Sequence, residues 1–382
     1  MPSVFFYISG HGFGHTVRQI AIINALGARA RDLGIVVRTA APRRLFDQSV
    51  RVPITFLEGE NDTGVVQIDS VRLDQRTTIA RANEFYETLN ERAATEAALL
   101  REHDARLVIS DAPPLACAAA AVNRMPSIVV SNFTWDWIYE GYAEELAAAP
   151  RLLPAIRNAY AQADAGWRMP LHGGFATVPD VSDIPFVARH ARTDRSPEDV
   201  RRALSLPADR PLALVSFGGY GVSGLQLHHL DCLDLIDLVL TAPANEIHLI
   251  DGPVHRVAEE DIYSRGLRYV DLVAVADVVV TKPGYGIIAD CVANRTAMLY
   301  TSRGRFVEYD VMVAQMPRFL RCEFIDLEAF LAGRWRSALQ SLLEKPEPRE
   351  EPRTDGADVV AELIIEMLGG DGDNGVHNGE TK

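Results

Sequence analysis

The 382-residue chain is 48% hydrophobic and 24% charged, long enough to exceed the single core that stops growing at about 250 to 300 residues, so two globular domains are expected. Its formal charge of -14 opposes broad attraction to nucleic acid or anionic lipid, because neutralising phosphates takes a surplus of Lys and Arg. The four cysteines, Cys117, Cys232, Cys291 and Cys322, are spaced too widely for a disulfide framework or a CxxC metal knuckle. No apolar run approaches the roughly 20 residues of a membrane span and the first residues carry no basic leader, so a cytoplasmic protein is expected.

Residues 4–8 form a short apolar run that ends in the glycine-rich stretch SGHGFGH (9–15), and from Thr16 onward Val17, Ile20, Ile23, Ala25 and Leu26 recur at helical spacing. Strand, loop and helix then repeat. IVVRTA (35–40) reads as a strand, 72–103 as a polar helical stretch, RLVISD (106–111) as a strand, an Ala-rich helix starts at Pro114, and PSIVVS (126–131) is a further strand. Such alternation implies a parallel sheet covered on both faces. A proline-rich, charged stretch between about 180 and 210 marks the best boundary, with Pro179, Pro185, Pro207 and Pro211 around it.

A second alternating block follows, with strands expected at 212–219, 246–251, 277–284 and 296–302. A helix is expected near 327–343, then a charged connector, an apolar helix at 357–368 and a polar glycine-rich tail with no means of burying a core. The expected fold is therefore α/β, two Rossmann-like halves facing each other across a cleft. The expected divisions are a first Rossmann-like domain at 1–190, a second at 191–345, a connector and helix at 346–369, and a disordered tail at 370–382.

Ligands of open parallel sheets bind beyond the carboxyl ends of strands, where helix N-termini present free backbone N–H groups. Three glycine-rich loops fall at such places: SGHGFGH with Gly12, Gly14, His11 and His15; SFGGYG (216–221) with Ser216, Gly218 and Gly219; and TKPGYG (281–286) with Lys282, Gly284, Tyr285 and Gly286. None has Walker spacing, and the first lacks the ribose-binding acid at the end of the following strand that a dinucleotide fingerprint requires. For SFGGYG a plain turn and a phosphate cradle are equally compatible with the sequence. His11 and His15 lie in a loop with no core pattern to explain them, which favours a role at a proton or a ligand.

Asp111 closes a strand and reads either as a helper acid or as the cap of the next helix. Trp135 and Trp137, in SNFTWDWIYEGY (131–142), suit sugar rings, though aromatic residues in that density more often build core. Asp290 is placed to receive ribose hydroxyls. Glu308 reads either as a contact to the donor sugar or as a solvated helix-end charge.

The strings VFFYISGHGFGHTVRQIAIINAL, SDAPPLACAAAA, SNFTWDWIY and KPGYGIIADCVA, in this order, resemble the glycosyltransferase-like domain of plant L-arabinokinases over most of residues 4–325. More distantly the layout is similar to GT-B glycosyltransferases of the MurG and plant UDP-glycosyltransferase type and to nucleotide-sugar hydrolases. The resemblance implies His15 as base, matched through Gly-His-x-x-Arg, and Gly284, Gly286 and Asp290 as donor-site residues. It also implies a donor on the C-terminal half, with UDP the first expectation from the family alone, and an acceptor on the N-terminal half, where Arg18, Asn132, Trp135 and Trp137 are the candidates.

The sequence departs from those families at Asp290, where a Glu is usual. At Arg295-Thr296-Ala297 a Gly-x-Pro turn is usual, and Glu308 and Asp310 lie near the place of an Asp-Gln pair.

The expected activity is metal-independent displacement of a nucleoside diphosphate from a sugar by an acceptor hydroxyl, with no cofactor because the nucleotide sugar is a substrate. The same residues serve hydrolysis or epimerisation of a nucleotide sugar, and a non-catalytic nucleotide-sugar binding module is the alternative from another class. The expected partners are a nucleotide-sugar donor and a small-molecule or glycan acceptor.

Overall fold

A computed structural model describes residues 1–69, 72–217, 224–225, 229–242 and 252–370. The first half is built on seven parallel strands in the spatial order Thr55–Glu58, Gly34–Thr39, Ser3–Ile8, Ala105–Asp111, Ser127–Ser131, Ala165–Arg168 and Val181–Asp183. Ser3–Ile8 is buried along its whole length, and Phe5 pairs with Val36 on one side and Val108 on the other. Such continuous apolar runs are what a strand needs when helices cover both faces.

The second half repeats the plan with six parallel strands in the order Val254–Ala258, Asp237–Ala242, Leu212–Ser216, Val278–Thr281, Ala297–Tyr300 and Cys322–Phe324. Among the described residues these two sheets, with helices around them, form the expected α/β architecture.

Strand order reverses once in each sheet. In the first, the chain builds outward from Ser3–Ile8 and then returns to add Ala105–Asp111 on its other side; in the second, Leu212–Ser216 and Val278–Thr281 are the neighbours that part company. Loops leaving two such strands must run in opposite directions, which opens a crevice at their carboxyl ends. SGHGFGH and Asp111 lie at the first crevice, and Ser216 and TKPGYG at the second.

Several expectations are corrected in detail. The polar stretch 72–103 is two helices, Gln75–Glu87 and Leu89–Glu102, the first capped by the Asp74 side chain, which accepts from the Thr77 N–H. The helix expected near 327–343 is also two, Leu327–Leu331 and Arg336–Glu344. The strands expected to reach 219 and 284 end at Ser216 and Thr281. The strand expected at 246–251 lies outside the described residues, as does the tail at 371–382.

Asp237–Ala242 and Val254–Ala258 were not picked out by periodicity. Asp237 masks the first of them: its carboxylate sits 2.6 Å from Arg210 Nε and 2.9 Å from His255 Nε2, a polar start on an apolar strand.

The two halves share apolar packing. One continuous cluster joins Ile20 and Ile23 of the helix Phe13–Arg29 to Tyr285 and Ile288 of the helix Tyr285–Asn294 and to Val360, Ala361 and Ile364 of the last helix, Gly356–Gly370. That last helix returns to the first half. The Gly356 N–H donates to the Phe186 carbonyl at 3.0 Å, and Arg29 pairs with Asp358 at 2.7 Å. A side chain at Gly356 would strike the Pro185 carbonyl oxygen at 2.4 Å, so only glycine lets the chain cross there.

Candidate functional site

On the first half, Asp111 is fully buried at the end of its strand and gathers three side chains from one helical turn. His15 Nδ1 lies 2.9 Å from its Oδ1, Arg18 Nε donates to Oδ2 at 2.7 Å, and Gln19 Nε2 donates to Oδ2 at 3.0 Å. Helical spacing explains why residues 15, 18 and 19 reach one point. Burial alone would raise the Asp111 pKa, but the charges of Arg18 and His15 and their hydrogen bonds hold the carboxyl well below the usual range, so it is an anion.

His15 Nδ1 lies 2.9 Å from both Asp111 Oδ1 and Arg18 Nη2; in the tautomer that donates from Nδ1 to the anionic Asp111, Nε2 is the unprotonated nitrogen. Among the described residues, Nε2 has no hydrogen-bond partner. Asp111 does not cap the following helix, whose N-cap is Pro113 with no side-chain bond. Its carboxylate lies instead against the His15 ring and Arg18.

The chain leaves Asp111 sharply. Ala112 sits at φ 75, a conformation costing roughly 1 to 3 kcal/mol for a side-chain-bearing residue, and its carbonyl accepts from the Tyr160 hydroxyl at 2.5 Å.

A row of hydrogen bonds crosses from this cluster to the second half. Arg18 donates to Asn132 Oδ1 at 2.5 Å, Asn132 Nδ2 donates to Glu308 Oε2 at 3.2 Å, and Arg303 donates to Glu308 Oε1 at 2.7 Å. The Arg303 guanidinium also lies over the Phe306 ring at 3.7 Å. Arg18 and Asn132, expected to meet an acceptor, are instead buried in this row, Arg18 3% exposed with its guanidinium also above the Tyr285 ring. Glu308 is buried and paired, a bridge between the halves in place of either a solvated charge or a free sugar contact.

The second half brings a cation and a helix start. The helix Tyr285–Asn294 begins at Gly284 with no side-chain cap and no acid in its first turn; the same holds for the helix Phe13–Arg29 beginning at Gly12. Their first turns touch: a side chain at Gly286 would lie 3.4 Å from Gly14 Cα. Two sets of unpaired N–H groups therefore meet in one place.

Beside them, burial and then the nearby Arg303 push the Lys282 ammonium down to about 7, against the opposing pull of Glu308 and Asp69. His11 is held neutral, its pKa lowered first by burial and then by the charges of His15, Arg303 and Lys282. In a chain of net charge -14 this is a local concentration of basic side chains.

Four other expectations are resolved by packing. Asp290 is buried and both of its oxygens face Arg189, with Arg189 Nε at 3.1 Å from Oδ2 and the Arg189 N–H at 3.1 Å from Oδ1, so it anchors the segment joining the halves where a ribose contact was expected. Tyr285 is buried and its hydroxyl accepts from the Val187 N–H at 3.0 Å, a second anchor of the same segment. Trp135 is core, stacked on Tyr139 at 5.5 Å. Trp137 lies over Gly173, where a side chain would meet its ring at 2.3 Å. Gly218 and Gly219 lie outside the described residues; Ser216 Oγ accepts from the Tyr269 hydroxyl at 2.7 Å.

Two residues of the site were not anticipated. Asp62 is buried, accepts from Ser9 Oγ at 3.0 Å and from Trp135 Nε1 at 2.8 Å, and is pushed up to about 6 by burial against the opposing pull of His15 and these hydrogen bonds. Arg303 is the other. The signal for both was available only through the strands before them, Thr55–Glu58 and Ala297–Tyr300, since each lies in the loop that follows. The first of these strands was not recognised. Among the described residues, no group of three His, Cys, Asp or Glu side chains is placed to hold a metal ion, and no helix is long and apolar enough to cross a membrane.

No family model matches the chain. Over 369 residues, 94% of its length, it is 28% identical to the L-arabinokinase of Arabidopsis thaliana, of which the match spans 34%. The chain thus corresponds to about a third of that relative. Its fold is shared with solved glycosyltransferases. The glycotransferase of kitacinnamycin superposes with a TM-score of 0.63 at 18% identity over 96% of this chain and 98% of that one. The calicheamicin glycosyltransferase CalG4 gives 0.60 at 14% identity over 96% and 98%. The spinosyn rhamnosyltransferase SpnG gives 0.58 at 9% identity over 96% of each. These neighbours share the GT-B fold, two Rossmann-like halves across a cleft.

Proposed function

We propose that this GT-B chain is a glycosyltransferase that moves a sugar from a nucleoside diphosphate, UDP in the first instance, to an acceptor hydroxyl by direct displacement. The observation that carries the reading is the His15–Asp111 pair at one switch point, facing an uncapped helix start and Lys282 from the other.

In the proposed step His15 Nε2 takes the acceptor hydroxyl proton as the oxygen attacks the anomeric carbon, and Asp111 stabilises the imidazolium that forms. The bond between that carbon and the phosphate oxygen breaks, and the nucleoside diphosphate leaves with the electron pair. Its charge is received by the N–H groups at Tyr285–Asn294 and by Lys282, fixed in place before the reaction begins. Lys282 near its neutral point is suited to this role, because an arriving diphosphate makes the ammonium the favoured form. A single displacement inverts the anomeric centre.

The test is His15→Ala with UDP-sugars and a panel of acceptors. The expected result is a loss of about 100- to 10,000-fold in turnover with nucleotide binding retained. Unchanged turnover removes His15 as the base. Stoichiometric release of nucleotide without acceptor makes the protein a nucleotide-sugar hydrolase, and binding without turnover makes it a binding module.

A further inference from the structure

The cleft has a side chamber that belongs to the first half alone. It has a volume of about 280 Å³ and opens where the loops after Ser3–Ile8, Gly34–Thr39 and Thr55–Glu58 converge, with His11, Glu60, Asp62, Thr63, Gln67 and Arg81 among its walls. At roughly 30 Å³ per water the space is that of about nine waters, just under the roughly 300 to 1,000 Å³ of pockets for drug-sized ligands.

Its polar groups are varied and closely spaced. Gln67 Nε2 lies 3.4 Å from His11 Nε2, and the other end of that amide, Oε1, is buried with no hydrogen-bond partner. Glu60 and Arg81 face each other at 3.7 Å, and Thr63 Oγ1 lies 3.2 Å from the Tyr139 hydroxyl. Ala40, Val65 and Val66 supply an apolar wall.

The chamber adjoins the reactive pair through one indole: the Trp135 ring lies 5.8 Å from the His11 ring and 6.5 Å from the His15 ring. We infer that this chamber seats the acceptor, and that the acceptor is an uncharged polyhydroxylated molecule of monosaccharide size. The inference rests on the transferase reading above.

Size excludes an extended aromatic or lipid acceptor from the chamber. Charge disfavours a sugar phosphate, because Arg81 is already opposed by Glu60, Asp62 is a carboxyl, and burial lowers the His11 pKa so that its ring is neutral. A hydroxyl that donates to Gln67 Oε1 satisfies a buried acceptor in the wall that has no partner among the described residues, and the C–H face of a pyranose fits the valine wall.

The experiment titrates the full chain, with and without UDP, with D-xylose, D-glucose, D-galactose, glucose 1-phosphate and 4-nitrophenol, and follows UDP-glucose consumption with each. The expected result is binding of neutral monosaccharides, weakened at least tenfold by Gln67→Leu and by Glu60→Ala, with UDP affinity unchanged in both variants. Preference for the sugar phosphate or the phenol, or sugar binding indifferent to both substitutions, overturns the chamber. Sugar binding that follows the substitutions while no nucleotide sugar is consumed overturns the transferase reading and leaves the chamber as a sugar site. Consumption of UDP-glucose with 4-nitrophenol and with no sugar does the reverse.

Discussion

The two sides of the cleft are built on opposite principles. On the first half the charges around the reactive histidine are paired: Asp111 is matched by Arg18 and His15, and Arg18 is tied further to Ser131 and Asn132. On the second half, among the described residues, Lys282 makes no ion pair and the helix at Tyr285 starts without a cap. The Asp111 cluster is paired within the protein, although the helix at Phe13 starts without a cap as the helix at Tyr285 does. On the proposed reading an anion completes the second side, and its groups without partners among the described residues cost stability until one binds.

The largest expected effect breaks this contrast through stability. Asp111→Ala leaves the Arg18 guanidinium buried without its carboxylate and is expected to cost about 3 to 5 kcal/mol, read as a lower denaturant midpoint. Lys282→Met is expected to leave the midpoint unchanged or raise it, since it removes a partly buried lysine that makes no ion pair among the described residues.

The next effect sharpens it through protons. The Lys282 pKa lies near 7 in the fold against an ordinary 10.5, so between those values the unfolded chain holds more protons and stability rises with pH; that contribution is lost as pH falls through about 7. Inorganic pyrophosphate bound at about pH 8 should therefore draw up to one proton onto Lys282 as the anion restores its pKa. Calorimetry in buffers of different ionisation enthalpy measures that uptake, and Lys282→Met should abolish it.

Asp62 runs the other way. Its pKa is raised from 3.8 to about 6, so its contribution is present below the lower value and lost as pH rises through the higher. Asp62→Asn should flatten the stability profile over that interval.

The smallest effect compares the two helix starts. Gly12 sits at φ 73 and Gly284 at φ -160, and a side chain at either would meet nothing within 4 Å. Gly12→Ala should cost about 1 to 2 kcal/mol from backbone conformation alone, and Gly284→Ala close to nothing. Equal losses at both would show that contacts, and not φ, decide these positions.

Much of the architecture was legible in the sequence. Apolar runs followed by glycine loops and helical periodicity place Ser3–Ile8, Ala105–Asp111, Leu212–Ser216 and Val278–Thr281, the four strands that flank the switch points, because a strand buried on both faces must be apolar throughout. Short edge strands were not legible: Thr55–Glu58 is only partly buried and lacks that run, so Glu60 and Asp62 in the loop after it went unread.

Local pattern alone puts His11 and His15 in a stretch with no core periodicity and Lys282 in a glycine loop of the second half. Only the tertiary structure decided the partners. Asp111, 96 residues from His15, meets it because two strands made far apart in the chain lie side by side. Glu308 and Asp290 were drawn away from the ligand by Arg303 and Arg189, since a buried carboxylate takes whichever cation the packing brings within reach, and no local pattern records which one that is.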